Sequence, residues 1–374
     1  MIIAVNTRLL LKNRLEGIGR FSFEILRRIT MGHPEHTFIF FFDRPWDPQF
    51  IFSENIIPVV LFPQSRHPFL WYWYFEFSVT AALKKYKADI FITTDGWLST
   101  RTPVKTLQVL HDLHYENHPE FLPWLVRKYY RYFFPKFVRK ATRIVTVSDF
   151  CKNEIASRYR LDRNLIDVVY NSTREEYGPL TPDEIDDTRQ QYSGGVPYFL
   201  FIGPVHPRKN LVNAVSAFVK YKKESGDKAK LLVTGAAMWR NFGGMVTVSE
   251  PGILQDIMFT GYLQDEELRK VTGAALSLLY VSFYEGFGIP VLEAMSCNVP
   301  VIASNRSAIP EVAGDAALLV DPGSVEEIAD AMAVIRRDDD LRRSLVLKGA
   351  RNLKRFSWDV SAAAFWKSVV QTLA

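Results

Sequence analysis

The sequence predicts an α/β protein made of two doubly wound, Rossmann-like domains in tandem, and three observations predict it. Short β-rich apolar runs alternate with helical patterns along nearly all of the 374 residues. The runs are apolar on both faces, as parallel strands buried between helix layers must be. Near the middle, NSTREEYGPLTPDEIDDTRQQYSGGVP (171–197) is polar and rich in turn residues, and reads as an interdomain connection with a short helix of its own. A chain of this length has material for two domains of ordinary size.

In the first domain, residues 1–172, the strands are IIAVN, TFIFFF, IIPVVLF, ADIFITT, KTLQVL, RIVTVS and IDVVYN. In the second, residues 173–357, they are YFLFIG, KLLVTG, IMFTGY, LSLLYVS, PVIAS and AALLV. The end of the chain supplies helices: Ser324 with Glu327 reads as a capping box, a basic amphipathic stretch runs from Asp340 to Phe356, and Ser357 caps a last helix, 358–374. Two such sheets in tandem turn their strand ends toward a shared cleft, and ligands of doubly wound sheets bind beyond the carboxyl ends of the strands.

Composition excludes several classes. With 48% hydrophobic and 23% charged residues the chain is not a disordered one. No apolar run reaches the roughly 18–20 residues that span a bilayer, and MIIAVNTRLL lacks the parts of a signal peptide, so the expected compartment is the cytosol. Cys151 and Cys297 lack metal or redox spacing and read as small, reduced, buried thiols. The formal charge of +5 favours an anionic partner. From Phe121 to Ser148 no acidic residue occurs, while Arg127, Lys128, Arg131, Lys136, Arg139, Lys140 and Arg143 alternate with aromatic residues. Residues 121–143 therefore have the composition of an interfacial helix on an anionic membrane, and equally that of an amphipathic helix with aromatics in the core. FLWYWYFEF (69–77) divides in the same way between core helix and acceptor groove.

Four segments carry chemistry. In LSLLYVSFYEGFGIPVLEAM a strand leads through Glu285, Gly286, Phe287, Gly288 and Ile289 to a helix with Pro290 as its first residue. The glycines admit a ligand to the backbone, and the first amides, of Val291, Leu292 and Glu293, form a site for an anion such as diphosphate. A carboxylate there, Glu293, would repel a bare phosphate but suits the paired hydroxyls of a neighbouring ribose. Glu285 is placed to reach the group beyond the phosphates. In FLFIGPVHPRKNL, Gly203 ends a strand, and Arg208 and Lys209 supply paired cations before a helix that Asn210 can cap. In TLQVLHDLHYENHPEF, His111 follows a strand and is placed to bond a sugar hydroxyl or move a proton. His111, His114 and His118 have no helix to hold them on one face, so no metal is expected. In EGIGRFSFEIL, Gly17 and Gly19 precede a helix, with Asp43 closing the next strand, but Ser22 replaces the third glycine of a dinucleotide fingerprint.

EGFGIPVLEAM followed by NVPVIASNRSAIPEVAGDAALLVDP resembles the retaining GT-B glycosyltransferases of family four, the glycosyl transferases group 1. The resemblance extends through GIGRF, HDLH, IVTVSDFCKNEI, IGPVHPRKNL and FTGYLQDEEL to nearly the entire chain. It implies transfer of a hexose, with retention and without a metal or other cofactor, from a nucleotide-sugar, UDP- or GDP-linked, to a glycan or lipid-linked acceptor of a surface polysaccharide or glycoconjugate. By position, Glu293 matches the acid that holds the donor ribose and Glu285 the acid near the transferred sugar. Gly286, Phe287, Gly288, Ile289, Val291 and Leu292 match the diphosphate and sugar loop, and Lys209 with Arg208 the cationic clamp after Gly203. His111 matches the histidine on the donor sugar, Gly19 the loop facing the diphosphate, and Thr260 lies in the segment 259–261 expected by the base. Where many members carry arginine after the strand-end glycine, this chain has Pro204. The resemblance also implies that the last helix returns to the first domain. Two other classes share these features: a sugar-nucleotide epimerase of the same fold, and a noncatalytic glycan- or nucleic-acid-binding protein. The intact donor set argues against the second, so no nucleic acid is expected as a partner.

Overall fold

The computed structural model describes residues 1–12, 15, 17–117, 119, 122–235 and 251–374. His118 and Phe121 lie outside the described residues. The chain divides into two compact units, Met1–Asn171 with Ser357–Ala374, and Ser172–Phe356.

Each of the thirteen apolar runs forms a strand. The first unit holds β1 (Ile2–Asn6), β2 (Thr37–Phe42), β3 (Ile56–Val60), β4 (Ile90–Thr93), β5 (Lys105–Val109), β6 (Arg143–Thr146) and β7 (Ile166–Val168). The second holds β8 (Tyr198–Ile202), β9 (Lys230–Thr234), β10 (Ile257–Gly261), β11 (Ser277–Tyr280), β12 (Val301–Ser304) and β13 (Leu318–Val320). The orders are β3-β2-β1-β4-β5-β6-β7 and β10-β9-β8-β11-β12-β13, and every pairing is parallel. Both sheets thus reverse winding at one point, between β1 and β4 and between β8 and β11. That is where a doubly wound sheet opens a crevice at its strand ends.

The unbroken apolar runs are explained by layers on both faces: Tyr198, Phe199 and Leu200 of β8 are fully buried in succession. In the second unit, the helices Leu211–Ser225 and Val325–Arg337 press Phe218, Met332 and Ile335 against Leu231, Val233 and Ile302. In the first unit, the helix Trp358–Leu373 lays Trp358 and Phe365 against Phe21 of the helix Gly17–Gly32, at ring separations of 6.4 and 6.2 Å. Ser357 caps this last helix through the Asp359 amide, and Arg28 pairs with Asp359 at 2.6 Å.

Several local expectations are corrected. Ser324 accepts from the Glu327 amide, but the Glu327 carboxylate takes the Asp321 amide, so the box is not reciprocal. The reciprocal box of the connection is Thr181 with Glu184, heading the helix Pro182–Ser193. Asn210 does not cap its helix: its φ of 62° turns the side chain away, and its amide donates to the carbonyls of Val281 and Pro322. Gly17 and Gly19 do not precede their helix but form its first turn.

The basic aromatic segment is a helix, Trp124–Lys140, burying Tyr129, Phe134 and Phe137. Its other face keeps Trp124 and Tyr132 each 60% exposed, with Lys128 and Lys136 lying 4.0 and 3.5 Å over their rings. FLWYWYFEF divides likewise: Tyr74 and Phe75 are core residues, while Phe69 and Trp73 are exposed. Among the described residues no helix is long and apolar enough to cross a membrane.

Candidate active site

In the second unit the predicted residues collect where the winding reverses, after β8 and after β11. Gly203, with φ 153°, ends β8, and a Cβ there would stand 3.3 Å from Cγ and Cδ of Lys209. Glycine thus lets the lysine stem lie across the strand end. Pro207–Lys209 then make a short 3-10 turn that presents both cations to the loop after β11.

There Glu285 receives both. Arg208 Nη1 lies 2.6 Å from Oε2 and Lys209 Nζ 2.7 Å from Oε1. Arg208 also donates to the Tyr284 carbonyl and Lys209 to the Tyr280 hydroxyl. Burial opposes the Glu285 charge, but Lys209 and Arg208 outweigh it and hold the carboxyl at about 2. Its backbone is pinned as well, since its amide donates to Ser307 Oγ at 3.0 Å and its carbonyl accepts from Ala308. Glu285 is therefore ionised at neutral pH and is not a proton carrier. Its two-cation partnership joins groups that the sequence assigned to separate ends of the donor.

The helix after the loop is Ile289–Ser296, one residue longer at its start than predicted. Gly288 before it has φ 117°, and a Cβ would stand 2.7 Å from Ile309 Cδ1, so only glycine fits this corner. The Val291 amide donates back to the Gly288 carbonyl at 3.0 Å. Glu293 is the fifth helical residue, past the four whose amides lack a helical partner. The helix start thus offers fewer outward amides than the sequence suggested, which leaves more of any phosphate charge to Arg208 and Lys209. Phe287 is buried edge-on against Phe356 at 5.7 Å, and Val291 and Leu292 are fully buried. Glu293 is buried, and its carboxylate meets Arg174 Nε at 3.0 Å. Arg174 carried no motif and was missed, as were Tyr280 and Ser307. Thr260 lies at a register shift between β9 and β10, between Phe259 and Gly261, and its hydroxyl donates to the Gly261 carbonyl at 3.1 Å.

In the first unit, His111 follows β5, and its Nε2 lies 2.8 Å from the Thr94 carbonyl oxygen. A carbonyl only accepts, so Nε2 carries the proton and Nδ1 is the acceptor of the neutral ring. Burial lowers its pKa, keeping the ring neutral at pH 7. Gly19 is buried against Leu9, whose carbonyl oxygen a Cβ would approach to 2.9 Å, so it serves helix–loop packing at this position. His114 begins a one-turn helix, His114–Asn117, where no helix was expected. Among the described residues the group with three metal-ligand atoms in reach of one another is instead His33, Glu35 and His36. That loop leads into the amino end of β2, whereas His111 follows the carboxyl end of β5. Cys151 and Cys297 are buried thiols outside any disulfide, and burial raises both, Cys297 to about 12.

The sequence pattern of the glycosyl transferases group 1 matches residues 183–351, and that of glycosyltransferase family 4 matches residues 16–176. The O-antigen chain mannosyltransferase B of Escherichia coli is 30% identical over 369 residues, covering 93% of this chain and 94% of its own. This chain belongs to the group 1 glycosyltransferases. The O-antigen chain mannosyltransferase RfbU of Salmonella typhimurium is 27% identical over 307 residues, covering 78% of this glycosyltransferase and 82% of its own chain. Among solved structures, the glycosyltransferase of Rickettsia africae aligns with TM-score 0.73 at 19% identity, over 100% of this chain and 98% of that one. Anabaena HepE in complex with UDP and glucose aligns with TM-score 0.75 at 14% identity, over 99% and 100%. WaaG, a glycosyltransferase involved in lipopolysaccharide biosynthesis, aligns with TM-score 0.74 at 15% identity, over 97% and 98%. These neighbours share the GT-B fold with this glycosyltransferase.

Proposed function

We propose that this glycosyltransferase moves a mannosyl residue, with retention, from a nucleoside diphosphate mannose to a growing polysaccharide or its lipid-linked precursor. The observation that carries the reading is Arg208 and Lys209 converging on Glu285 beside the glycine-bounded loop before helix Ile289–Ser296. The names of the related O-antigen mannosyltransferases favour mannose and a surface polysaccharide. The UDP and glucose bound by HepE favour a nucleotide-sugar donor.

In this reading, Arg208 and Lys209 neutralise the diphosphate, the task a metal ion performs elsewhere, and Glu293 accepts from the ribose hydroxyls. In the first unit, His111 Nδ1, the acceptor of a neutral ring, is suited to accept from a sugar hydroxyl. As the bond between the anomeric carbon and the phosphate oxygen breaks, negative charge grows on the diphosphate and the two cations stabilise it. The acceptor oxygen bonds to the same face of the anomeric carbon, and its proton passes to the leaving phosphate oxygen. Glu285, ionised and held by two cations, is poorly suited to serve as nucleophile or base. Exposed Trp124 and Tyr132, each under a lysine, support peripheral contact with an anionic membrane that carries the acceptor.

A thermal-shift screen of GDP, UDP and ADP with their hexose conjugates, in EDTA, tests the donor reading. A GDP- or UDP-mannose complex is expected to raise the melting temperature most. Absence of any shift at millimolar ligand sinks the proposal. For the membrane contact, vesicles with phosphatidylglycerol should sediment the protein in low salt and release it at about 0.5 M salt, where screening is short-ranged. Equal recovery with neutral vesicles counts against it.

A further inference from the structure

A buried carboxylate without a counter-charge is costly, and Glu293 has its counter-charge from a part of the chain remote in sequence. Arg174 stands two residues past Ser172, where the chain enters the second unit, and its side chain is 15% exposed. It is held on three sides: Nε against Glu293 Oε1 at 3.0 Å, Nη1 against Asp265 Oδ1 at 2.6 Å, and the guanidinium 5.2 Å from the Tyr177 ring centre. The two acids differ, since the Asp265 side chain is 62% exposed while that of Glu293 is 2% exposed. Solvent weakens the outer pair, so the inner one dominates. Burial would lower the Arg174 pKa, yet Glu293, Tyr177 and Asp265 together outweigh it and raise it, so the guanidinium stays charged throughout the neutral range. Asp265 and Tyr177 thus hold the planar guanidinium in place, with its Nε set as the counter-charge against one oxygen of Glu293.

We propose that Arg174 is the positioning residue for donor recognition: it orients Glu293 toward the paired hydroxyls of a ribonucleoside diphosphate and cancels its charge beside the diphosphate-binding loop. This rests on the reading of Glu293 as the ribose acceptor. The logic is that a carboxylate fixed by one pair needs no reorganisation to receive a diol. A neutralised carboxylate also does not repel the phosphates that bind within a helical turn of it.

Calorimetry with GDP, UDP and their 2′-deoxy counterparts tests it on the full chain. The wild type is expected to favour the ribose form of its cognate nucleotide by about tenfold or more, as charge-assisted hydrogen bonds do. Arg174→Gln should abolish most of that preference and, by leaving the Glu293 charge uncancelled beside the phosphates, weaken the deoxy form as well but less than the ribose form; in turnover it should raise the donor KM more than it lowers kcat. Arg174→Lys should recover part of the preference. In the double variant with Glu293→Gln, the ribose preference should fall no further than in either single variant. If Glu293→Gln abolishes the preference and Arg174→Gln keeps it, the positioning role is overturned and the ribose role of Glu293 stands. If Glu293→Gln keeps it, or the wild type has none, the ribose role itself falls and this proposal with it. Should Arg174→Gln not fold, Arg174→Lys decides: it retains the charge without the fork, and an undiminished ribose preference overturns the proposal.

Discussion

Lys209→Ala is expected to lower kcat/KM for the donor by about two to three orders of magnitude, the loss typical of removing one preorganised group facing developing charge. Lys209 is suited to this because its stem lies over Gly203 at the end of β8 while its ammonium is fixed by Glu285 and Tyr280. Neither contact must form during the reaction, so little reorganisation is spent when charge appears on the leaving diphosphate. Arg208 remains in the variant, still paired with Glu285. Structure should therefore persist while turnover falls, and circular dichroism with steady-state kinetics separates the two. A loss under fivefold would remove Lys209 from the mechanism. Lys209→Arg should recover little, because a planar fork does not fit the space of a compact ammonium beside the Tyr280 ring.

Acid should destabilise the second unit through Glu285, and Glu285→Gln should remove that sensitivity. The carboxyl sits at about 2 in the folded chain against an ordinary value of 4.5. A depressed folded pKa contributes stability that is present above the unfolded value and is lost as pH falls from about 4.5 toward 2. The shift corresponds to roughly 3 kcal/mol at neutral pH, by about 1.4 kcal/mol per unit, and its cause is the attraction of Lys209 and Arg208 exceeding the cost of burial. Glu285→Gln keeps the shape but leaves two cations facing each other, so it should cost a few kcal/mol at pH 7. Urea titrations of both proteins between pH 7 and pH 3 check this. The curves should converge as pH falls, and a constant gap would show that Glu285 is not the titrating group. Turnover should fall with the substitution too, since the carboxylate aims both cations.

The strands were legible in the sequence because parallel strands buried on both faces are written as short continuous apolar runs. YFLFI and SLLY announce β8 and β11 without any knowledge of their neighbours. The loop GFGIP was equally legible, for glycine and proline constrain the backbone within a few residues. Local signals failed where a side chain had a choice of partner. Asn210 has the residue type of a helix cap, but its positive φ hands its amide to carbonyls beyond β11 and β13. Glu327 stands at box spacing from Ser324, yet its carboxylate turns to Asp321. Gly19 reads in the sequence as a ligand-facing loop glycine, and the structure places it in the first turn of its helix, where a Cβ would stand 2.9 Å from the Leu9 carbonyl oxygen.

The sequence by itself determined the α/β class, the thirteen strands and the residue types that surround the loop between β11 and its helix. Backbone preference and burial period are properties of neighbouring residues, and they survive in a linear reading. The tertiary structure decided which charges meet. Strand order puts β8 beside β11 and so brings Arg208 and Lys209 onto Glu285. The path of the chain out of the connection brings Arg174 onto Glu293. Such pairs are fixed by distance in space, which falls off over a few ångström, and not by separation along the chain.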